Sequence, residues 1–135
     1  MWHATQSYFI GEWHMVRIIE DVADGVIGEV WGEARFEPKG AALDCLETGV
    51  MRFNGADFLH KRESLWQFGD EGRIEVRYGD GRPFHDFLTQ EPIALLLDGD
   101  AEYRIEYDFG VDTWLSNWEM RGPFADYRMT TRYRR

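Results

Sequence analysis

Short segments in which apolar and polar residues alternate fill most of this chain, and tight turns separate them. A period of two is the signature of a strand with one buried face, because successive side chains point to opposite sides of a sheet. Gly, Asn and Asp supply the turns, and Asn54-Gly55 is a strong hairpin signal since both residues tolerate positive φ. Helical periodicity is almost absent. The pattern therefore predicts an all-β fold.

The predicted strands cover nearly the whole sequence. They run over 11–21, 26–37, 43–53, 57–68, 73–78, 82–88, 101–109, 112–121 and 126–134. Residues 7–10 are predicted to form a single helical turn that plugs one end of the fold. Residues 89–99, which contain Pro92 and an apolar run, are compatible with a loop, a lid or a short buried strand.

A long antiparallel meander of this kind tends to close on itself, because closure buries the apolar face and removes exposed edges. We therefore predict a single antiparallel up-and-down β-barrel of about eight to ten strands. A two-sheet sandwich is the alternative. No repeat, linker or low-complexity run divides the sequence, and its length fits one domain over residues 1–135.

Charge and cysteine content limit the partners and the compartment. Fifteen basic against 25 acidic residues give a net charge of −10, which opposes broad binding to nucleic acid or anionic membranes. The basic last strand, with Arg128, Arg132 and Arg134, is interpreted as a solvated strand end rather than an RNA contact.

One cysteine, Cys45, excludes an intramolecular disulfide and favours a reducing compartment. With no leader sequence recognised in residues 1–7 and no stretch long enough to span a bilayer, we predict a cytoplasmic protein.

Charged residues fall on the apolar faces of three predicted strands. Arg17 shares a face with Trp13, Glu47 lies on the face of Cys45, and Arg62 follows His60 in phase. Ionised groups are rarely left buried without partners, so these side chains must meet each other, a ligand or water inside the barrel.

Two arginines against one carboxylate leave excess positive charge, and a guanidinium matches a carboxylate or phosphate bidentately. The predicted ligand is a small-molecule anion that is partly apolar, such as a fatty acid or an aromatic acid. The predicted ligand-binding residues are Arg17, Glu47, His60, Arg62, Tyr78, His85, Tyr103 and Trp118. The alternative is a satisfied Arg17–Glu47–Arg62 network that fixes the strand register.

Several pieces of the sequence resemble a bacterial family of unknown function with a lipocalin-like, or calycin, β-barrel fold. The pieces are Gly11-Glu12-Trp13 with Arg17, residues 25–36, Glu47-Thr48-Gly49, residues 80–85, and residues 114–134 with Gly122-Pro123 and Asp126-Tyr127-Arg128. The resemblance implies that the Trp closes the barrel base and that an arginine of the last strand, Arg132 or Arg134, packs across it. It brings a fold and a ligand cavity but no established activity. Extracellular lipocalin roles do not transfer, because the sequence has neither a secretory signal nor a cysteine pair.

Cofactor and catalytic chemistry are weakly indicated. His85 raises a haem alternative, but a hydrogen bond to Asp86 or to a turn carbonyl is favoured, and no metal or cofactor is predicted. No nucleophile, phosphate-loop or metal motif is present. A non-catalytic role is therefore favoured over an isomerase or dehydratase that would use Glu47 as base beside Arg17. Cys45 is interpreted as a small core residue.

Protein interaction is a third class of function. Trp31 lies on the outer face of the second predicted strand, and with His14, Ile18 and Leu46 it would form an apolar patch suited to a homodimer. A barrel with a filled core and a structural or protein-interaction role is thus the alternative to ligand binding.

Overall fold

The computed structural model describes residues 4–135 and consists of one short helix and ten strands. Met1 to His3, which begin the segment predicted to lack a leader, lie outside the described residues. The elements are α1 (Gln6–Phe9), β1 (Gly11–Asp21), β2 (Gly25–Lys39), β3 (Ala42–Phe53), β4 (Ala56–Phe68), a 3-10 turn (Asp70–Gly72), β5 (Arg73–Tyr78), β6 (Pro83–Leu88), β7 (Ile93–Asp98), β8 (Ala101–Phe109), β9 (Thr113–Arg121) and β10 (Asp126–Arg134).

The strands form one antiparallel sheet that curls into a nearly closed barrel. Its order is β6-β5-β4-β3-β2-β1-β10-β9-β8-β7, so strands that are consecutive in sequence pair with each other, except β6 and β7, and β1 pairs with β10. Among the described residues, no strand pairing joins the two outermost strands, β6 and β7; the isolated bridge between Leu88 and Glu91 lies in the turn that follows β6. The β6–β7 gap is where the barrel remains open along its side. The all-β barrel prediction is confirmed, and the sandwich alternative is wrong.

Residues 89–99, which could not be assigned from the sequence alone, contain the strand β7. β7 occupies Ile93–Asp98 and pairs with β8 from Ile93 opposite Glu106 to Asp98 opposite Ala101. Ala94 faces the core, whereas Leu95 and Leu97 point outward and are 72% and 74% exposed. Because both faces of this strand carry apolar residues, no alternation marks it in the sequence.

The helix α1 closes one end of the barrel. Phe9 is fully buried and its ring contacts the rings of Phe36, Trp66 and Trp114 at 5.3–5.5 Å between centroids. The indole Nε1 of Trp13 donates a 2.9 Å hydrogen bond to the carbonyl oxygen of Phe9, which fixes the helix to the start of β1. The predicted helical plug is thus confirmed, one residue earlier than expected.

The arginine that packs across Trp13 is Arg135. Its guanidinium carbon lies 4.0 Å from the Trp13 ring centroid, and it donates hydrogen bonds to the carbonyl oxygens of Ile10 and Tyr8. The prediction of Arg132 or Arg134 was wrong because Tyr133 faces the core, so both neighbouring arginines point outward.

Two glycines bring β2 and β3 close together in the middle of the barrel wall. Gly32 and Gly49 are paired directly, and a Cβ on Gly32 would lie 2.0 Å from the carbonyl oxygen of Thr48. A Cβ on Gly49 would lie 2.2 Å from the carbonyl oxygen of Trp31. Such close backbone approach is the usual reason for glycine inside a strand.

The outer apolar patch differs from the predicted one. Trp31 is exposed as expected, but its direct neighbours in register are Val16 and Val50, with Leu59 next beyond Val50. His14 and Ile18 lie on the rows next to that of Trp31, and Leu46 lies two rows away, opposite Arg35. The row Val16–Trp31–Val50–Leu59 therefore forms an outward apolar stripe across four strands.

Candidate functional site

A cluster of charged side chains lies at mid-height inside the barrel, and Glu47 is at its centre. This carboxylate is 2% exposed and accepts hydrogen bonds at 3.0–3.1 Å from Arg17, Arg62 and Tyr133. His60 Nε2 lies 3.1 Å from Glu47 Oε1. We call Arg17, Glu47, His60, Arg62 and Tyr133 the central cluster.

Arg17 is fully engaged within the protein. It is 4% exposed, holds both carboxylate oxygens of Glu47 at 3.0 Å, and donates from Nε to Thr131 Oγ1 at 2.8 Å. The bidentate geometry is the strongest form of an arginine–carboxylate pair. Gly32 lies on the inner face of β2, the strand between those of Arg17 and Glu47, and it places no side chain in the space that this pair crosses.

Arg62 is held differently. Within the described residues its hydrogen bonding is limited to one donor, Nη2, at 3.1 Å from Glu47 Oε2, and its side chain is 37% exposed. A guanidinium has five N–H donors, so the remaining donors of Arg62 have no acceptor within residues 4–135. The guanidinium carbon lies 5.1 Å from the ring centroid of Trp118.

The charges of the central cluster determine the protonation of Glu47. Burial alone would raise the pKa of its carboxyl group, but the Arg62 and Arg17 charges and the His60 hydrogen bond together hold that pKa well below its ordinary value. Burial would likewise lower the pKa of Arg17, whereas Tyr133 and Glu47 raise it above its ordinary value. Both groups are therefore ionised at neutral pH, as a salt bridge requires.

The end of the barrel opposite α1 holds an apolar cavity of about 290 Å³. It lies where β1, β3 and β9 end and β2, β8 and β10 begin. Its lining consists almost entirely of apolar surface and is contributed by Ile19, Ile27, Phe53, Tyr103, Trp118, Met120, Tyr127 and Met129. We call this cavity the mouth pocket.

Trp118 connects the mouth pocket to the central cluster. Trp118 lines the pocket, and the Arg62 guanidinium lies over the Trp118 ring. Phe84 packs on Trp118 at 5.2 Å between centroids and stacks on Tyr78 at 4.8 Å. Trp118 is thus in contact with both the apolar pocket and the guanidinium of Arg62.

A larger groove of about 820 Å³ lies outside the barrel rather than within it. Exposed Leu95 and Leu97 border it together with charged side chains of β8 and β9, including Arg104 and Glu119. Its walls are solvated ion pairs such as Arg104–Glu106, whose two side chains are half exposed. It therefore lacks the almost wholly apolar lining of the mouth pocket.

His85 is buried beside the pocket wall and pairs with Tyr107. Its Nε2 lies 2.7 Å from the Tyr107 hydroxyl, so the expected partners, Asp86 or a turn carbonyl, were wrong. Burial, assisted by the Arg62 charge, lowers the pKa of His85 to about 3, which keeps the imidazole neutral. The Nδ1 atom has no hydrogen-bond partner among residues 4–135.

The predicted ligand-binding residues separate into three groups. Arg17, Glu47, His60 and Arg62 meet in the central cluster, as the Arg17–Glu47–Arg62 alternative anticipated. Tyr103 and Trp118 line the mouth pocket. Tyr78 and His85 contact Phe84, behind that wall. Their role in binding stays a prediction.

Sequence reasoning missed most of the pocket lining and two members of the polar core. Ile27, Phe53, Tyr127 and Met129 lie at strand ends, where the phase alone cannot show which side chains enclose a space. Tyr133 and Thr131 had a signal, because both share the phase of Met129 on β10 and Tyr133 is flanked by the outward Arg132 and Arg134.

Other kinds of site find little support in the described part of the chain. Cys45 is buried, and burial raises the pKa of its thiol, which agrees with a core role. No group of three or more His, Cys, Asp or Glu residues suited to a metal occurs within residues 4–135. The only α-helix described, α1, has four residues and is too short to cross a membrane.

Comparison with known sequences places nearly the whole chain in a family. Residues 9–135 match DUF6314, a family of unknown function. No curated protein matches the chain. The lipocalin resemblance and a bacterial origin remain predictions.

Proposed function

The chain belongs to the DUF6314 family of unknown function, and from the geometry of its barrel we propose that it binds a small anionic, partly apolar molecule at the mouth pocket. The apolar part of the ligand lies against Trp118 and its neighbours. The acidic group receives hydrogen bonds from Arg62. The protein acts in this proposal as a binding protein and not as an enzyme.

One observation carries the proposal: the guanidinium of Arg62, most of whose donors have no acceptor within residues 4–135, lies 5.1 Å from the ring centroid of Trp118, a residue that lines the apolar pocket. Arg17 donates its hydrogen bonds to groups inside the protein, whereas Arg62 donates one hydrogen bond, to Glu47, and its side chain is 37% exposed. The two arginines therefore have different roles, Arg17 in the core and Arg62 at the ligand.

The charge of the central cluster supports an anionic ligand. Glu47 balances one of the two arginines, which leaves one positive charge on the partly exposed Arg62. A partly buried guanidinium attracts a carboxylate more strongly than a fully exposed one, because less water screens the pair. An anion would complete the charge balance.

The cluster also argues against the isomerase or dehydratase alternative. A general base needs a pKa near the working pH. The Arg62 and Arg17 charges hold the pKa of Glu47 far below that range despite its burial. Its lone pairs are already occupied by arginine, histidine and tyrosine, so it is a poor proton acceptor.

Isothermal titration with acid and amide pairs tests the proposal. trans-Cinnamate and nonanoate would each be compared with the corresponding uncharged amide, against the wild type, Arg62→Gln and Lys61→Gln. Lys61 is the matched control because it precedes Arg62 on β4 and is exposed on the outer face.

We expect at least one acid to bind the wild type and the Lys61→Gln variant equally, and to bind Arg62→Gln at least about tenfold more weakly, the loss typical of a charged hydrogen bond. Amide affinity should not depend on Arg62. Thermal melting would establish that each variant is folded. Equal acid affinity in wild type and folded Arg62→Gln, or no acid binding at all, would contradict the proposal.

A further inference from the structure

Side chains fill the barrel interior beyond the mouth pocket. The described residues that line the pocket include none of the central cluster, which lies further along the same strands and in which Arg17 and Glu47 are fixed by several hydrogen bonds each. Beneath the cluster, Trp13, Trp114 and Phe9 are among the largest fully buried side chains. A ligand that reached deeper than the mouth pocket would have to displace these buried side chains and unpair buried charges, which is strongly unfavourable.

The volume of the pocket limits the size of what it encloses. At about 30 Å³ for each atom-sized unit of a condensed liquid, the share of one water molecule, 290 Å³ holds about ten non-hydrogen atoms. Long-chain fatty acids exceed this number, and their remaining methylenes would extend into solvent.

The walls of the pocket are suited to a flat ligand. Phe53, Tyr103, Trp118 and Tyr127 supply aromatic rings, and the two methionines, Met120 and Met129, supply polarisable sulfur. Rings and thioethers make specific edge and face contacts with an aromatic ligand that an alkyl chain does not make. A rigid ring also loses less conformational entropy on binding than a flexible chain does.

We propose that the mouth pocket selects a compact aromatic monocarboxylate of about ten non-hydrogen atoms over straight-chain fatty acids. This inference rests on the proposed function, since it assumes that Arg62 receives the carboxylate. It adds the class of ligand: a single ring or a small conjugated system joined to one acidic group.

The proposed ligand class is tested by titrating the protein with an aromatic acid and with straight-chain fatty acids of increasing length. trans-Cinnamate and nonanoate are the central comparison, because both contain nine carbons and one carboxylate. Hexanoate and tetradecanoate complete the series. Binding of each to the wild-type protein would be measured by calorimetry, below the aggregation concentration of the longest acid.

We expect cinnamate to bind at least about fivefold more tightly than nonanoate, as one aromatic contact provides. Affinity should rise about fourfold for each methylene from hexanoate to nonanoate, the value for a buried methylene, and by less than tenfold in total from nonanoate to tetradecanoate. Nonanoate binding as tightly as cinnamate, or a further rise of more than tenfold to tetradecanoate, would overturn the class.

These failures differ from failure of the proposed function. If fatty acids bind best and still depend on Arg62, the pocket binds anions but the ligand class is wrong. If no acid shows dependence on Arg62, the function itself is wrong and the class is overturned with it.

A pair of neighbouring variants identifies the location. Ile27→Trp fills the mouth pocket from its wall, whereas Val26→Trp adds the same side chain at an exposed position one residue earlier. Cinnamate affinity should fall at least tenfold in Ile27→Trp and remain unchanged in Val26→Trp, with melting temperatures confirming folding. Equal affinity in the two folded variants would place the acid elsewhere and overturn the proposal.

Discussion

Glu47 joins three elements of the barrel through one carboxylate. Arg17 reaches it from β1, His60 and Arg62 from β4, and Tyr133 from β10. Removing its charge leaves the nearly fully buried Arg17 without its counter-ion. Loss of one partner from a buried ion pair costs more than the pair itself contributes, because the remaining charge is uncompensated.

We therefore expect Glu47→Gln to lower the free energy of unfolding by about 3 to 5 kcal/mol at pH 7. Urea denaturation of the wild type, Glu47→Gln and Glu33→Gln would measure this, with Glu33 as an exposed glutamate on β2. A loss in Glu47→Gln no larger than that in Glu33→Gln would show that the cluster contributes little.

The same comparison has a defined pH dependence. The pKa of Glu47 is depressed in the folded protein, so its contribution is complete above the ordinary value of 4.5 and is lost as pH falls below it. The difference between wild type and Glu47→Gln should thus shrink from pH 6 towards pH 2. A difference that stays constant or grows over this interval would contradict the charge-based account.

The side chains of this cluster show what residue patterns can predict. The period-two phase indicated that Arg17, Glu47 and Arg62 face inward, and they do. The phase cannot show which row of one strand lies beside which row of the next, because that depends on register. The difference between Arg17 and Arg62 is therefore visible only in the structure.

At the scale of elements, the closeness of β2 and β3 depends on the absence of side chains at Gly32 and Gly49. A Cβ at Gly32 would contact a backbone oxygen at 2.0 Å, and backbone cannot move away as a side chain can. Separating the two strands there would disturb the space in which Arg17 reaches Glu47. The glycines thus determine both the wall and the cluster.

Gly32→Ala should therefore lower the free energy of unfolding by about 3 kcal/mol or more, at or above the upper range for overpacking. Gly69→Ala is the control, because a Cβ there meets no atom closer than 3.7 Å and its φ of −104° suits any residue. Chemical denaturation of both variants would decide the matter. Similar stability of the two would mean that the strands can separate without cost.

Strand boundaries were predictable where a strand has one solvent-exposed face and one buried face. β5, β8 and β10 have the predicted bounds. β7 was not recognised because it borders the β6–β7 gap, where Leu95 and Leu97 are apolar and yet exposed. The arginine over Trp13 was misassigned because one residue decides whether a side chain points inward or outward.

At the scale of the whole molecule, the β6–β7 gap is the least cooperative part of the barrel. Strands β1 and β2 pair with neighbours on both sides, whereas, in the part of the chain that the structure describes, β6 pairs only with β5 and β7 pairs only with β8. Unpaired backbone groups and exposed apolar residues make a segment prone to local opening.

Amide hydrogen exchange followed by NMR should therefore be fastest, among the strands, for amides of β6 and β7 that point into the gap. Amides at the centres of β1 and β2 should exchange at least 100-fold more slowly, since they open only with the sheet. Comparable protection along all ten strands would show that the gap is closed in solution.

The helix α1 closes one end of the barrel, and this has a consequence for exchange with other molecules. Because Phe9 and Trp13 fill that end, no channel formed by the described residues runs through the barrel from one end to the other. On the proposed function, a protein that delivers a ligand to the mouth pocket or removes it would therefore approach the strand ends around Phe53 and Tyr127, at the end of the barrel that α1 does not cover.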